Sequence, residues 1–377
     1  MDSTCLTVDL GTTWAKLALY GLPDAHPRLL HSLRLPSGAG SYDGSPASVA
    51  SFLSFCDQLE AAIADSLAAK PVDRLGLTGI REGLVLLDEA GEVVWVSGNA
   101  LLDNEILLDC PIGGIDIGGF IPGILAQNSS ARTLLSLQGY LAHRLTGRLA
   151  ITASEMDALG LLREANVASA SVQRLLQPVE RIAVGATLGS PVNHRRTRVF
   201  LAGTDEQASH HGAGIGTNAH LGLATATFWS LTAPVVRPST ALPEVRHIPS
   251  APPYCATASV IGYRFGPYLQ QALDGEVPAF PDRLPRWAVG SLLDYLRGAS
   301  SIERERLLEC VVADIQSAQY LLSRVSEIPA DPTIAVHGGG LTGLRDFTVE
   351  VMERLGHRWT ELEGDATQIG CCLAAQE

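Results

Sequence analysis

Short apolar runs alternate with longer helical patterns along the chain, and this alternation predicts an α/β protein. Near the N-terminus, the apolar runs Cys5–Asp9 and Trp14–Tyr20 flank Gly11-Thr12-Thr13, which is typical of a β-hairpin with a tight turn. A helical pattern runs from Pro46 to about Ala69, and the proline suits the first helical turn. Further strands are predicted at Arg74–Thr78, Leu84–Asp88, Val93–Val96 and Arg198–Ala202, and further helices at about Ser130–Arg144 and Val167–Leu176.

The second half of the chain repeats this order of elements, which favours two related α/β halves. We expect a domain boundary just after Asp205, with residues 1–206 in one domain and residues 207–377 in the other. The Pro-rich segments Pro234–Pro253 and Pro278–Pro285 are predicted to be loops or lids. Strands are predicted at Ala219–Thr225, Thr257–Ile261 and Thr333–Val336, and long helices at Ile302–Val325 and Leu344–Leu355.

The composition excludes several classes of protein. A chain of 377 residues with 46% hydrophobic and only 18% charged residues is core-rich, and its length suits two domains. The net charge is −13 and no Lys/Arg-rich block occurs, so nucleic acid and anionic membranes are poor partners. The seven cysteines are odd in number and lack zinc-ligand spacing, which favours reduced thiols. Without a secretory pattern or an apolar run of ~18 residues, a cytoplasmic protein is expected.

The segment from Asp9 to Lys16 places a carboxylate at a strand end and a Gly-Thr-Thr turn directly after it. Gly11 allows the backbone to approach a phosphate, Thr12 and Thr13 add N–H and hydroxyl donors, and Lys16 adds positive charge. Asp9 is then expected to hold Mg²⁺ through water, because this ion dehydrates reluctantly. The alternative interpretation of these residues is an ordinary hairpin turn.

Two further motifs follow predicted strands. Asp205, at the end of Gly203-Thr204-Asp205, is placed to accept a proton from an attacking hydroxyl, although aspartate also suits a helix N-cap. Gly338, Gly339 and Gly340 follow the strand Thr333–Val336 and allow flat packing against a purine or ribose, whereas a tight strand-to-helix connection explains only one or two of them. His210-His211, in the helix after Asp205, is expected to be a packed or solvated pair.

In this order, Asp-x-Gly-Thr-Thr, Gly-x-Asp and Gly-Gly-Gly resemble the motifs of the FGGY carbohydrate kinases, which belong to the actin-like superfamily. The resemblance extends to Leu77–Gly83, to Leu145-Thr146-Gly147 and to Glu363–Ala375, which is similar to the closing helix of that family. It implies an α/β fold of two ribonuclease H-like (actin-like ATPase) domains with an active-site cleft between them. It also implies phosphoryl transfer from ATP, with Mg²⁺, to a small sugar or polyol.

The resemblance assigns a role to each matching residue. Asp205 is the catalytic base, and Asp9 and Asp205 are the metal residues. The implied nucleotide-binding residues are Gly11, Thr12, Thr13, Lys16, Ala226, Thr227, Gly338, Gly339 and Gly340, and the implied substrate-binding residues are Arg81, Glu82, Asp103, Glu206 and Gln207. The Arg81-Glu82 pair is similar to that of glycerol kinases, and the run Arg81–Leu86 resembles the autoinducer-2 kinase branch. A linear polyol is therefore one expected substrate.

The sequence departs from the family pattern at three points. The chain is shorter than typical members, Ala226 stands where the second phosphate turn usually has glycine, and only a two-residue slip brings Asp103 to the position of a substrate-binding aspartate. These departures leave two alternatives open: a degenerate member that binds nucleotide or sugar as a non-catalytic sensor or partner subunit, and an ATPase that acts on a protein. The oligomeric state is also open, with a homodimer as one alternative.

Overall fold

The computed structural model describes residues 3–22, 27–81, 83–98, 117–162, 164–225, 229–236, 245–248, 254–262, 304–338 and 340–374, which form an α/β structure as predicted. The described strands are β1 (Ser3–Leu10), β2 (Trp14–Leu22), β3 (Arg28–Pro36), β4 (Arg74–Gly79), β5 (Leu84–Leu87), β6 (Val93–Ser97), β7 (Thr133–Ser136), β8 (Ala150–Thr152), β9 (Glu180–Ile182), β10 (Thr187–Gly189), β11 (Arg198–Thr204), β12 (Leu221–Thr225), β13 (Trp229–Pro234), β14 (Arg246–Ile248), β15 (Thr257–Gly262), β16 (Thr333–His337) and β17 (Arg358–Glu361). The described α-helices are α1 (Pro46–Ala69), α2 (Ile117–Gln127), α3 (Leu137–Thr146), α4 (Ala153–Ala158), α5 (Glu164–Val167), α6 (Ala170–Leu176), α7 (Asp205–Gly212), α8 (Arg304–Leu322), α9 (Gly340–Leu355) and α10 (Ala366–Ala374).

A six-stranded sheet in the first half has the order β10-β11-β4-β1-β2-β3. The predicted hairpin is confirmed, because β1 and β2 pair antiparallel and place Asp9 opposite Lys16. The central strands β1, β4 and β11 run parallel to one another. Their carboxyl ends therefore meet at one edge of the sheet, which is where ligands bind in open α/β sheets.

A second six-stranded sheet has the order β14-β15-β13-β12-β16-β17. It also begins with an antiparallel hairpin, β12–β13, and the first strand of that hairpin pairs in parallel with β16. The repeated order of elements predicted for the two halves is thus confirmed. The domain limit at residue 206, which lies within α7, stays a prediction.

Each sheet has its own hydrophobic core. The first core includes α1, whose buried Phe52, Leu59 and Ile63 recur at the spacing of one helix face. Ser45 precedes α1, and its hydroxyl accepts a hydrogen bond from the Ser48 N–H at 3.2 Å, which satisfies one free donor of the first turn. The second core lies between the second sheet and helices α8 and α9.

The last helix, α10, confirms the predicted closing helix and packs against the first sheet. Its Cys371 and Cys372 are fully buried with Cys5, Tyr20 and Phe200 in a third apolar cluster. Cys5, Cys56, Cys371 and Cys372 are free, buried thiols, and Cys255 is a free thiol that is not buried. Among the helices that the structure describes, none is long and apolar enough to cross a membrane.

Three local predictions differ from the structure. The helix predicted over Ser130–Arg144 is in fact strand β7 followed by α3, because Thr133–Ser136 pairs with β5 and the Ser136 hydroxyl caps α3 by accepting from the Gly139 N–H. The segment Pro234–Pro253, predicted as a loop, contains strand β14. Strand β3 was not predicted, because it is an edge strand whose mostly exposed residues lack a clear alternation of apolar and polar positions. The loop predicted at Pro278–Pro285 lies outside the described residues.

Candidate active site

Three neighbouring strands, β1, β4 and β11, end at one edge of the first sheet, at or near Asp9, Arg81 and Asp205. Leu10, the last residue of β1, pairs with Gly79 at the end of β4, and Gly79 pairs with Thr204 at the end of β11. Asp9 therefore lies beside the connection that leaves β4, and β11 ends on the other side of β4. Arg81 follows β4 by two residues, and Asp205 follows β11 directly. Residues far apart in sequence thus converge because the three strands are parallel neighbours.

The Gly11–Thr13 turn is held in shape by the segment after β3. The Ser37 hydroxyl donates to the carbonyl oxygens of Gly11 and Thr12 at 2.6 and 2.9 Å, and the Gly40 N–H also donates to the Thr12 carbonyl. The Gly11 N–H donates to the Trp14 carbonyl at 3.1 Å. A Cβ atom on Gly11 would lie 2.8 Å from that carbonyl oxygen, so the turn requires glycine. Thr13 is exposed at the tip of the turn.

Lys16 lies between two carboxylates at the base of this turn. Its Nζ is 3.2 Å from Asp9 Oδ2 and 2.7 Å from Asp365 Oδ2. Burial lowers the pKa of Lys16, but the two carboxylates outweigh that effect, so the net shift of its pKa is upward. The Lys16 side chain is therefore a permanent cation in the folded protein.

Asp9 is almost fully buried, and burial raises its pKa to about 6 even though the neighbouring Lys16 ammonium lowers it. Its Oδ1 is buried and has no hydrogen-bond partner in the described part of the chain. An unpartnered buried carboxylate oxygen is costly unless a ligand or water satisfies it. This oxygen fits a carboxylate that holds a hydrated Mg²⁺, since such sites use only one or two protein carboxylates together with the phosphates of a nucleotide. Among the described residues no cluster of three or more His, Cys, Asp or Glu side chains forms a protein-only metal site.

Asp205 is the first residue of α7, and the extended Thr204 before it occupies the N-cap position without a side-chain cap hydrogen bond. The Asp205 Oδ1 accepts the Glu206 N–H at 2.8 Å, and the side chain is half-buried. A negative charge in the first turn of a helix is favoured by the helix dipole. The same arrangement fixes a carboxylate at the edge where β1, β4 and β11 end.

Arg81 contacts the same first turn of α7. Its Nη1 lies 3.6 Å from Glu206 Oε2, and the two side chains are only 10% and 19% exposed. Gln207 is buried, and its Oε1 accepts a hydrogen bond from the Ser154 hydroxyl. Glu82 and Asp103, the other predicted substrate-binding residues, lie outside the described residues. Arg81 is thus paired with a carboxylate of α7, which the sequence did not indicate.

The strand end before Asp205 needs both a glycine and a polar support. Gly203 has φ +73°, and a Cβ atom there would lie 2.5 Å from Ser154 Oγ. The Gly203 carbonyl accepts from Thr78 Oγ1 at 3.0 Å and from Gln138 Nε2 at 3.3 Å. Ser154 was not singled out from the sequence, although it lies within the capping box formed by Thr152 and Glu155, which is a recognisable signal.

In the second half, the structure describes only part of the predicted nucleotide site. Gly338 follows β16 with φ +113°, a conformation that other residues rarely adopt, and Gly340 opens α9. The Thr225 hydroxyl donates to the His337 carbonyl at 3.1 Å and ties the ends of β12 and β16 together. Gly339, Ala226 and Thr227 lie outside the described residues. The roles assigned to these residues remain predictions.

Taken together, the two hairpin-led sheets and the strand-end carboxylates define an actin-like ATPase fold of the kind found in sugar kinases, and comparison with solved structures agrees. Gluconate kinase from Lactobacillus acidophilus superposes with a TM-score of 0.73 at 13% identity over 100% of this chain and 89% of that one. Plasmodium falciparum glycerol kinase with ADP superposes with a TM-score of 0.70 at 12% identity, over 99% of this chain and 89% of that one. Xylulose kinase from Rhodospirillum rubrum superposes with a TM-score of 0.68 at 16% identity, over 99% of this chain and 89% of that one.

The predicted resemblance is therefore confirmed for the fold, and identities this low show the fold alone. No protein-family model and no curated protein matches the sequence.

Proposed function

We propose that this protein is an ATP-dependent phosphotransferase that phosphorylates a hydroxyl of a small sugar or polyol, with linear glycerol-like or autoinducer-2-like polyols as candidates. One observation carries the proposal: strands β1, β4 and β11, which contain or precede Asp9, Arg81 and Asp205, end side by side at one edge of the first sheet, on a fold shared with solved sugar and glycerol kinases. A fold alone does not define a function, but this combination of residues is suited to phosphoryl transfer.

Nucleotide phosphates would bind at the Gly11–Thr13 turn. The hydrogen bonds from Ser37 hold the carbonyls of the turn, and the Lys16 ammonium lies at its base. The second phosphate turn would be Ala226-Thr227, and the adenosine would pack against Gly338, Gly339 and Gly340. Backbone N–H groups in such turns bind phosphate without any need for a positive net charge on the protein.

Asp205 would act as the general base that accepts the proton of the attacking hydroxyl. Asp9 and Asp205 would hold Mg²⁺, which, when bound, supplies charge neutralisation at the transferring phosphoryl group. Two observations support these roles: Asp9 Oδ1 has no hydrogen-bond partner among the described residues, and Asp205 lies in the first turn of α7. Most of the acceleration would come from positioning and electrostatics, with the base contributing about 10²–10⁴-fold.

Arg81 would orient the substrate. Its guanidinium presents several N–H donors in a fixed plane, and it pairs with Glu206, the residue that follows Asp205 in the chain. Glu82, Asp103, Glu206 and Gln207 are the other proposed substrate-binding residues.

A coupled ADP-release screen with Mg-ATP tests the proposal. The panel would contain glycerol, tetritols, pentuloses, hexuloses, aldonates and linear diketo-polyols, with ATP alone as the background. Turnover of at least one polyol above the ATP-only rate is the expected result. A protein that binds Mg-ATP yet turns over none of them would favour a non-catalytic sensor, and turnover of ATP alone would favour an ATPase that acts on another partner.

A further inference from the structure

His210 connects the helix that begins at Asp205 to the second sheet. Its Nδ1 lies 3.1 Å from Thr257 Oγ1 in β15, and its Nε2 lies 3.3 Å from Thr232 Oγ1 in β13. The Thr232 hydroxyl is in turn 2.7 Å from Ser259 Oγ. All of these side chains are buried. Both ring nitrogens of one histidine are therefore bonded to neighbouring strands of a sheet formed by a different part of the chain.

The imidazole in this cluster is neutral. Burial, followed by the nearby His337, lowers the pKa of His210 to about 3. A neutral imidazole donates from one nitrogen and accepts at the other, which two threonine hydroxyls satisfy in either tautomer. The two hydrogen bonds thus fix the ring in position without a buried charge.

The opposite side of α7 is fixed by the closing helix. A Cβ atom on Gly212 would clash with the Ala366 carbonyl oxygen, and a Cβ atom on Gly370 would clash with the Ala208 carbonyl oxygen. Helices α7 and α10 therefore cross backbone to backbone, which leaves little freedom to slide. On the other side of α7, the His210 side chain links the helix to β13 and β15 through its two hydrogen bonds.

We infer that His210 is a positioning residue: through its hydrogen bonds to Thr232 and Thr257, it couples the orientation of α7, and with it Asp205, to the second sheet. This inference rests on the proposed function, in which the adenosine packs at the strand ends of the second sheet and Asp205 is the general base. Because α7 is held against α10 on one side and hydrogen-bonded to β13 and β15 on the other, His210 sets the orientation of the helix that begins at Asp205, and with it the position of the carboxylate toward the reacting hydroxyl. A displacement of about 1 Å at such a group costs up to about 10²-fold in rate.

The test compares His210→Leu with wild type in the presence of saturating Mg-ATP and the best polyol of the screen. The expected result is a fall in kcat of about 10- to 100-fold, with the KM for Mg-ATP changed less than about 3-fold. His210→Gln, which keeps one amide within reach of the threonines, should recover part of the loss. If His210→Leu does not fold, Thr257→Val removes the hydrogen bond to His210 Nδ1, and Thr232→Val removes the one to His210 Nε2 together with the contact to Ser259; each should lower kcat.

His357→Leu is the matched control, because it also removes a histidine hydrogen bond, from Nε2 to Gln319 Oε1 at 3.2 Å, but away from α7. Its kcat per folded molecule should equal that of wild type. A purely structural role for His210 predicts the same outcome for His210→Leu, with a lower melting temperature only. Unchanged kcat in folded His210→Leu would overturn the inference.

Hydrogen exchange separates this inference from the proposed function. In His210→Leu, but not in His357→Leu, the amides of residues 208–212 should exchange about 10-fold faster, because α7 has lost its link to the second sheet. If wild type turns over no polyol, the proposed function fails while this measurement still decides whether the link exists. Equal exchange in both variants would overturn the link itself.

Discussion

The Nζ of Lys16 lies 2.7 Å from a carboxylate oxygen of Asp365, although the two residues are 349 positions apart in the chain. Asp365 also accepts, at its other oxygen, the N–H groups of Thr367 and Gln368 at the start of α10. Gln368 returns a hydrogen bond from its amide to the Lys16 carbonyl at 3.1 Å. These hydrogen bonds join α10 to β2 at Lys16, directly beside Asp9 and the start of the proposed phosphate turn.

This relationship predicts a measurable contribution of Asp365 to stability. Asp365→Asn keeps an oxygen for the α10 N–H groups but removes the negative charge beside Lys16. Because the hydrogen bond involves charged, partly buried groups, the free energy of unfolding at neutral pH should fall by about 1–3 kcal/mol. Urea denaturation of the wild type and of Asp365→Asn measures this difference in the free energy of unfolding.

Glu305→Gln provides the matched control for that measurement. The Arg354–Glu305 pair has the same N–O distance of 2.7 Å, but its side chains are 41% and 62% exposed, compared with 30% and 27% for Lys16 and Asp365. Solvent screening should limit the effect of Glu305→Gln to about 0–1 kcal/mol. Equal effects of the two substitutions would mean that burial does not strengthen the Lys16–Asp365 pair.

Asp205→Asn tests the proposed base. The amide keeps the shape of the side chain and an oxygen for the Glu206 N–H, but it does not accept a proton. We expect kcat to fall at least about 10²-fold with little change in melting temperature. A variant that loses stability while its turnover is unaffected would restrict Asp205 to a role in starting the helix.

Arg81→Ala tests substrate recognition. Removal of the guanidinium deletes a charge-assisted hydrogen bond worth about 1.5–3 kcal/mol, so the KM for the polyol should rise about 10- to 100-fold. The KM for ATP should change much less, because Arg81 lies at the strand edge of the first sheet beside Glu206. Glu206→Gln is the companion variant, since it keeps Arg81 but releases its charged partner. A shift confined to the KM for ATP would assign Arg81 to the nucleotide instead.

Nucleotide binding should be visible as thermal stabilisation. A ligand that binds only the native state raises stability by about 2.7 kcal/mol at 100 times its Kd, so millimolar Mg-ATP or Mg-ADP should raise the melting temperature. Chelation of Mg²⁺ by EDTA should reduce the shift, because Asp9 would then face the phosphates without a metal ion. Calorimetry checks the same interaction directly. The absence of both signals would contradict the kinase and the sensor alike.

The buried histidines predict how stability depends on pH. Burial lowers the pKa of His210 to about 3 and that of His337 to about 4, whereas an unfolded histidine titrates near 6.5. Below pH ~6.5 the unfolded chain binds protons that the native state does not, so stability falls with falling pH by about 1.4 kcal/mol per pH unit for each histidine. The stabilisation that the two neutral histidines contribute is complete above pH ~6.5. It is lost progressively as the pH falls from ~6.5 to their pKa values in the folded protein, about 3 for His210 and about 4 for His337.

His210→Gln isolates one of these contributions. Between pH 6 and 4 the stability of His210→Gln should fall less steeply than that of wild type. The two slopes should differ by about 1.4 kcal/mol per pH unit. Opposing effects from groups such as Asp9, whose pKa is raised to about 6, are common to both proteins and cancel in the difference. Parallel curves for the two proteins would show that His210 is protonated in the folded state.

The sequence by itself determined the elements and the short motifs. The tight Gly11–Thr13 turn, the helix over Pro46–Ala69 and the strand that precedes Asp205 follow from local rules: backbone freedom at glycine, the fit of proline to a first helical turn, and apolar periodicity. The order of the motifs predicted the fold through its resemblance to the FGGY carbohydrate kinases, and the structure places Asp9, Asp205 and Gly338 at or directly after strand ends. Domain limits and the individual site roles stay predictions.

Only the tertiary structure decided which of these residues have partners. The pairing of Lys16 with Asp365, of Arg81 with Glu206 and of His210 with Thr232 and Thr257 joins positions whose separation carries no periodic signal. Such contacts depend on strand order, on parallel register and on the close crossing of α7 and α10, and these are fixed by packing over the whole chain. The same reason explains the helix predicted across Thr133–Ser136: local propensity favoured a helix, but pairing with β5 made this segment a strand.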